Sequence, residues 1–172
     1  MLCLKLLFTL DSQEKMSRFV NLPGLPKDEV LIDHIRREFP GLGLHTLSLI
    51  FRPKRVERSG LLGLFALQSL GSRNYRVAVV RHDIVCDTCK DLLIAVILED
   101  KSPIVKGVVP LEPWKLESGP HDPRLFFKQF EGLSLTDPLT VGVGIDGVTG
   151  ATYSVEAVLA ELNRLQARVA MP

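Results

Sequence analysis

The feature that most constrains this chain is a pair of neighbouring apolar runs. Asp91 to Leu98 is almost continuously apolar, and Ile104 to Leu111 follows it after the polar stretch Glu99-Asp-Lys-Ser-Pro103. Two such runs joined by a polar turn predict an antiparallel β-hairpin. Tyr75 to Val80, rich in β-branched residues, predicts a strand ahead of it, and His45 to Phe51 alternates as a strand does. Gly60 to Leu70 is apolar with periodic leucines and fits a short helix or a strand. Leu139 to Ile145 reads as a further strand, with Gly142 and Gly144 inside it.

Helices are marked differently. Lys27 to Phe39 carries Asp28 and Glu29 in its first turn and Arg36 and Arg37 in its last, the charge order that suits the helix dipole, and Pro40-Gly41 ends it. Pro123 to Phe130 predicts a short helix with proline in its first turn. In Ser154 to Val169 the residues Val155, Val158, Leu159, Leu162, Leu165 and Val169 recur at three- and four-residue steps, which makes one apolar stripe. The order of elements predicts an α+β fold: a largely antiparallel twisted sheet, flanking helices and a C-terminal amphipathic helix. Gly71, Ser72 and Asn74 mark a boundary between a mixed N-terminal segment of unknown role, residues 1–71, and a domain over 72–172.

Composition excludes more than it proposes. With 172 residues, 46% hydrophobic and 24% charged, the chain is long enough and apolar enough for a buried core. A net charge of +1 and 6% aromatic residues argue against a nucleic-acid partner. No segment reaches the roughly 18 uncharged apolar residues that a membrane-spanning helix needs. Met1 to Leu10 is apolar, broken by Lys5 and ended by Asp11. Without a basic leading region or a small-residue cleavage site, it reads as a short buried strand in preference to a signal peptide.

The segment that carries chemistry lies between the last strand and the last helix: Asp146-Gly147-Val148-Thr149-Gly150-Ala151-Thr152-Tyr153-Ser154. Two glycines open backbone conformations closed to other residues. Ala151 leaves room for a bulky group, and Thr149 and Thr152 each offer a hydroxyl. The helix that follows presents free N–H groups and a positive dipole end, which attract a phosphate. Many strand–turn–helix junctions use the same residue types for purely structural ends, so spacing alone leaves both uses open.

The string itself goes further. Asp146-Gly-Val-Thr-Gly-Ala-Thr152 resembles the flavinylation motif of the FMN-binding domain family, whose members include components of the sodium-translocating NADH:quinone oxidoreductase and of a related electron-transport complex. Phe126-Phe-Lys-Gln-Phe-Glu-Gly132 resembles the family's segment upstream of the motif, and Lys115-Leu-Glu-Ser-Gly-Pro120 matches its Glu-Thr-Pro-Gly loop loosely. The resemblance spans residues 74 to 169. It implies FMN joined by a phosphoester to Thr152, with Asp146, Gly147, Thr149, Gly150 and Ala151 completing the motif. It further implies maturation by a flavin transferase that uses FAD and magnesium, and electron exchange with redox partner proteins or a membrane complex on the extracytoplasmic side of a bacterial membrane. Thr152 would then be an attachment point and not a catalyst. Asp146 either aids the transferase or is an ordinary turn former. Leu125, Phe126 and Phe130 either shield the flavin ring or fill the core.

His82-Asp-Ile-Val-Cys86-Asp-Thr-Cys89 supports other chemistry. A Cys-x-x-Cys pair serves as a redox disulfide, as half of a zinc site, or as two inert thiols. Haem attachment fails because Lys90 stands where histidine is required. Zinc would need His82 or His121 and a further ligand. The alternatives to a flavoprotein are therefore a thiol- or zinc-dependent redox protein centred on Cys86 and Cys89, or a cofactor-free interaction module. The basic run Arg52, Lys54, Arg55 and Arg58 reads as a solvated loop, and Trp114 as core filling or a stacking surface.

Overall fold

The computed structural model describes residues 27–54, 59–71, 73–83, 91–111 and 123–169. Helix α1 (Asp28–Glu38) is followed by a short 3-10 turn at Pro40–Leu42. Five strands come next: β1 (Leu44–Phe51), β2 (Gly60–Ser69), β3 (Asn74–His82), β4 (Leu92–Glu99) and β5 (Val105–Pro110). Helix α2 (Pro123–Lys128), the two-residue strands β6 (Thr140–Val141) and β7 (Gly144–Ile145), and helix α3 (Thr152–Val169) complete the described chain. Strands β1 to β5 are antiparallel neighbours in sequence order, so the sheet is a meander. This is the α+β class read from the sequence, with a largely antiparallel sheet, flanking helices and a C-terminal helix. Within Gly60 to Leu70, the residues Gly60–Ser69 form a strand.

The sheet is covered on both faces, which explains the near-continuous apolar character of β4. Leu92, Ile94, Val96 and Leu98 belong to a core with α2 and α3, while Leu93, Ala95 and Ile97 belong to a second core with α1. A pleated strand sends successive side chains to opposite faces, so a strand with no solvent side must be apolar at every position. Strand β3 divides the same way, with Ala78 and Val80 toward α3 and Tyr75, Val77 and Val79 toward α1. The α1 side is closed by Leu31, Ile32 and Ile35. The α3 side is closed by Val155, Val158, Leu159, Leu162 and Leu165, as the stripe predicts, and each such burial contributes about 1.5–3 kcal/mol. Phe126 and Phe130 are buried in that core in an edge-to-face contact, their centroids 5.3 Å apart, so their role is packing, while Leu125 is exposed.

Two expectations change. The single strand expected over Leu139 to Ile145 does not form. Gly142 and Gly144 adopt φ of +84° and +74°, values that a continuous pleated strand excludes, and only the short β6 and β7 pair. The boundary expected between residues 71 and 72 falls in the connection between β2 and β3, which pair from Gly60↔Arg81 to Gln68↔Asn74. Elements from both sides of that point thus share one sheet. Met1–Leu10 lies outside the described residues.

Because Phe130 is fully enclosed, Phe130→Ala is expected to cost about 3–5 kcal/mol. Urea unfolding should show a lower midpoint with an unchanged slope.

Candidate functional site

The stretch from Thr136 to Asp146 leads into the motif and holds little regular structure, yet three side-chain amides pin it. Gln166 Nε2 donates to the carbonyl of Thr136. Asn163 brackets Leu139: its Oδ1 accepts from the Leu139 N–H at 2.8 Å and its Nδ2 donates to the Leu139 carbonyl at 3.0 Å. Gln129, just past α2, does the same at Asp146, accepting from its N–H at 2.7 Å and donating to its carbonyl at 3.3 Å. An amide side chain offers both a donor and an acceptor, so one residue can stand in for a ladder partner where no strand is available. Ile145 is buried and seats the end of this stretch in the core beneath α3.

The motif then turns sharply. The Ala151 N–H donates to the Val148 carbonyl at 3.0 Å, closing a four-residue turn over Val148–Ala151. Gly150 takes φ +77°, as the third residue of a type II turn must. The Gly147 backbone lies so close to Val141 that a Cβ there would meet Val141 Cγ1 at 3.2 Å. Ala151 is fully buried in the core and anchors the start of α3. The Val155 N–H donates to the Ala151 carbonyl at 3.0 Å, the first helical bond, so the amides of residues 152 and 153 precede the ladder. The first turn of α3 holds no acidic residue to compete for them.

Asp146, Gly147, Thr149, Gly150 and Thr152 are exposed, and Ala151 is buried. The chain therefore brings an exposed threonine to the first turn of an 18-residue helix, behind a glycine-permitted bend and a glycine–valine contact that a larger residue would fill. These residues fit a phosphate ester at Thr152: the helix start favours the anion and the residue is exposed. Val141, Val143 and Tyr153 expose apolar surface around the motif. Two clefts lined by described residues lie elsewhere. One, of about 180 Å³, sits between α1, β5 and α2 and is lined in part by Phe39, Val109 and Phe127. The other is an open recess at the ends of β3, β4 and β5, lined in part by Tyr75, Glu99 and Lys106.

On β3, the face that meets α3 carries a polar group that spacing could not reveal. Glu161 is 1% exposed, and its Oε1 accepts from His82 Nδ1–H at 2.7 Å and from Arg164 Nη1. Its Oε2 is buried without a partner among the described residues. His82, one of the candidate zinc ligands, is thus engaged through Nδ1 by a carboxylate. Cys86, Cys89, His121, Trp114 and Lys115–Pro120 lie outside the described residues. Among the described residues no group of three or more His, Cys, Asp or Glu side chains is placed to hold a metal ion.

Gln129, Asn163, Gln166 and Glu161 escape a reading based on motifs. Asn163 had one trace in the sequence: it is a poor helix former inside an otherwise strong helix, which is common where a side chain serves a neighbouring backbone.

No protein-family model, no curated protein and no solved structure matches this chain. Among the described residues no helix is long and apolar enough to cross a membrane.

Asn163→Ala removes both bonds to Leu139 and is expected to cost about 1–2 kcal/mol in urea unfolding. Gln129→Ala, at the outer end of the stretch, should cost under about 1 kcal/mol while speeding amide exchange at Asp146. Glu161→Gln keeps the shape but loses the charge between His82 and Arg164, and should cost about 1–3 kcal/mol by the same measurement.

Proposed function

We propose that this protein is an electron-transfer flavoprotein module that carries FMN as a phosphoester on Thr152. One observation carries this reading: within Asp146-Gly-Val-Thr-Gly-Ala-Thr152 it is the last threonine, exposed, that stands in the first turn of α3 directly after the left-handed bend at Gly150. Attachment by a flavin transferase joins the Thr152 oxygen to the FMN phosphorus of FAD, breaks the pyrophosphate bond, releases AMP and frees the hydroxyl proton. Bound in this way, the flavin supplies one- and two-electron transfer between partner proteins.

Each part of the site has a task under this reading. The N-terminus of α3 sets a positive field beside the ester's negative oxygens. The turn at Gly150 and the buried Ala151 place Thr152 at the exposed start of α3, within reach of a transferase. Gln129 and Asn163 keep the approach to the motif in one conformation. Tyr153, Val141 and Val143 offer apolar surface against which a ring system can lie. Asp146 is exposed and available to a transferase or its magnesium ion.

Co-expression with a flavin transferase, followed by intact-mass measurement and proteolytic mapping, tests the proposal. The expected result is one added FMN ester on the peptide that contains Thr152, absent in Thr152→Ala and retained in Thr152→Ser. An unmodified protein in the presence of a transferase active on a control substrate, or an adduct on another residue, overturns it.

A further inference from the structure

We infer that the cleft between α1, β5 and α2 is a binding site for a small amphipathic amine, a ring-sized apolar group with an ammonium head. β5 is the last strand of the sheet, and the helical layers on the two faces approach each other there without closing. Val109 and Phe39 pack with the core on the α1 side, Val108 and Phe127 with the core on the α3 side. An apolar group in the cleft therefore meets both cores at once. A cavity of about 150 Å³ holds a benzene-sized ring, and this one has about 180 Å³. Its walls are fixed in place. A Cβ on Gly107 would collide with the Phe39 ring, so that ring is seated directly on the glycine backbone. His34 Nε2–H donates to the Pro110 carbonyl at 2.8 Å and ties α1 to the end of β5. Phe127 is 3% exposed and packs against Phe126, with ring centroids 5.6 Å apart. Walls already ordered spare a ligand the cost of ordering them.

The rim selects the charge. Glu38 and Glu131 line the cleft and are exposed, and neither pairs with a cation among the described residues. Glu38 is the last residue of α1, so the negative end of the helix dipole stands behind its carboxylate. Arg36 and Arg37, the basic residues of that turn, are not among the described lining residues. Of the cations on the rim, Arg124 is already engaged, which leaves Lys128 against two carboxylates. An ammonium group above a ring-sized apolar body suits that balance, whereas a carboxylate in its place would face the same two acids. None of the described lining residues belongs to the Asp146–Thr152 motif, so the site stands independently of the flavin reading.

Titration of the full chain with benzylamine, followed by NMR of its methyl and aromatic signals, tests the assignment. Benzyl alcohol serves as the neutral comparison and 3-phenylpropionate as the anionic one. The expected result is saturable shifts centred on Val108, Val109 and Phe127, with benzylamine bound most tightly of the three. Glu38→Gln/Glu131→Gln changes two exposed residues and leaves the apolar walls intact. It should weaken benzylamine at least about threefold and leave benzyl alcohol unchanged. Shifts that fail to saturate, or that spread over the whole surface, overturn the site. Binding of 3-phenylpropionate or benzyl alcohol as tight as that of benzylamine, or an unchanged benzylamine affinity in the double variant, overturns the choice of an amine. Should the double variant lose its native spectrum, a salt titration of the unaltered protein decides the matter. Benzylamine affinity that falls with added salt while that of benzyl alcohol holds supports the amine; affinity indifferent to salt overturns it.

Discussion

Strand β4 has no face turned to water, and the rest of the molecule is arranged around that condition. Its even-numbered side chains need α3 and α2, and its odd-numbered ones need α1. Burying both rows makes the hydrophobic contribution of this strand large, but it also demands that three helices arrive from distant parts of the chain with their apolar stripes facing inward. The meander of five strands makes this feasible, because each strand pairs with its sequence neighbour and the helices before and after the sheet remain available to cover opposite faces.

The candidate site is a consequence of that packing. Helix α3 is fixed along most of its length by core residues, Val155 of its first turn among them, so the start of the helix is held in place. Ala151 lies in the core and Thr152 lies outside it, one residue apart. The segment that delivers the motif is short of backbone partners, and amide side chains from α3 and from the end of α2 take their place. The support for the motif therefore comes from the helix that follows it as much as from the turn before it. A phosphate ester there would sit on a rigid element, which is what a tethered electron carrier requires if its distance to a partner is to be reproducible.

The buried Glu161 stands apart from this scheme. It joins β3 to α3 through His82 and holds Arg164 against the same helix, at the cost of one carboxylate oxygen without a partner among the described residues. A buried charge of this kind contributes less to stability than a well-packed apolar residue of similar size, and it is costly to disrupt. Its effect is to tie one histidine, at the end of β3, to one position on α3, which favours a single docking arrangement of the helix on the sheet.

Several features were legible from residue order alone. The apolar stripe of α3, the charge-ordered α1, the β4–β5 hairpin and the α+β class all rest on local periodicity, which a linear reading detects because the helix and the strand impose fixed repeats. The Asp146–Thr152 motif was legible for the same reason: a bend, a hydroxyl and a helix start are adjacent in the chain. Gly142 and Gly144 were visible too, but their positive φ values, which break the strand expected over Leu139 to Ile145, are decided by how that segment must bend to reach α3. The continuity of the sheet across residues 71 and 72, the clamps of Gln129 and Asn163, and the pairing of His82 with Glu161 belong wholly to tertiary structure. Those contacts join residues 17 to 79 positions apart, and no repeat in a sequence encodes which distant partner a polar side chain will meet once the apolar faces have closed.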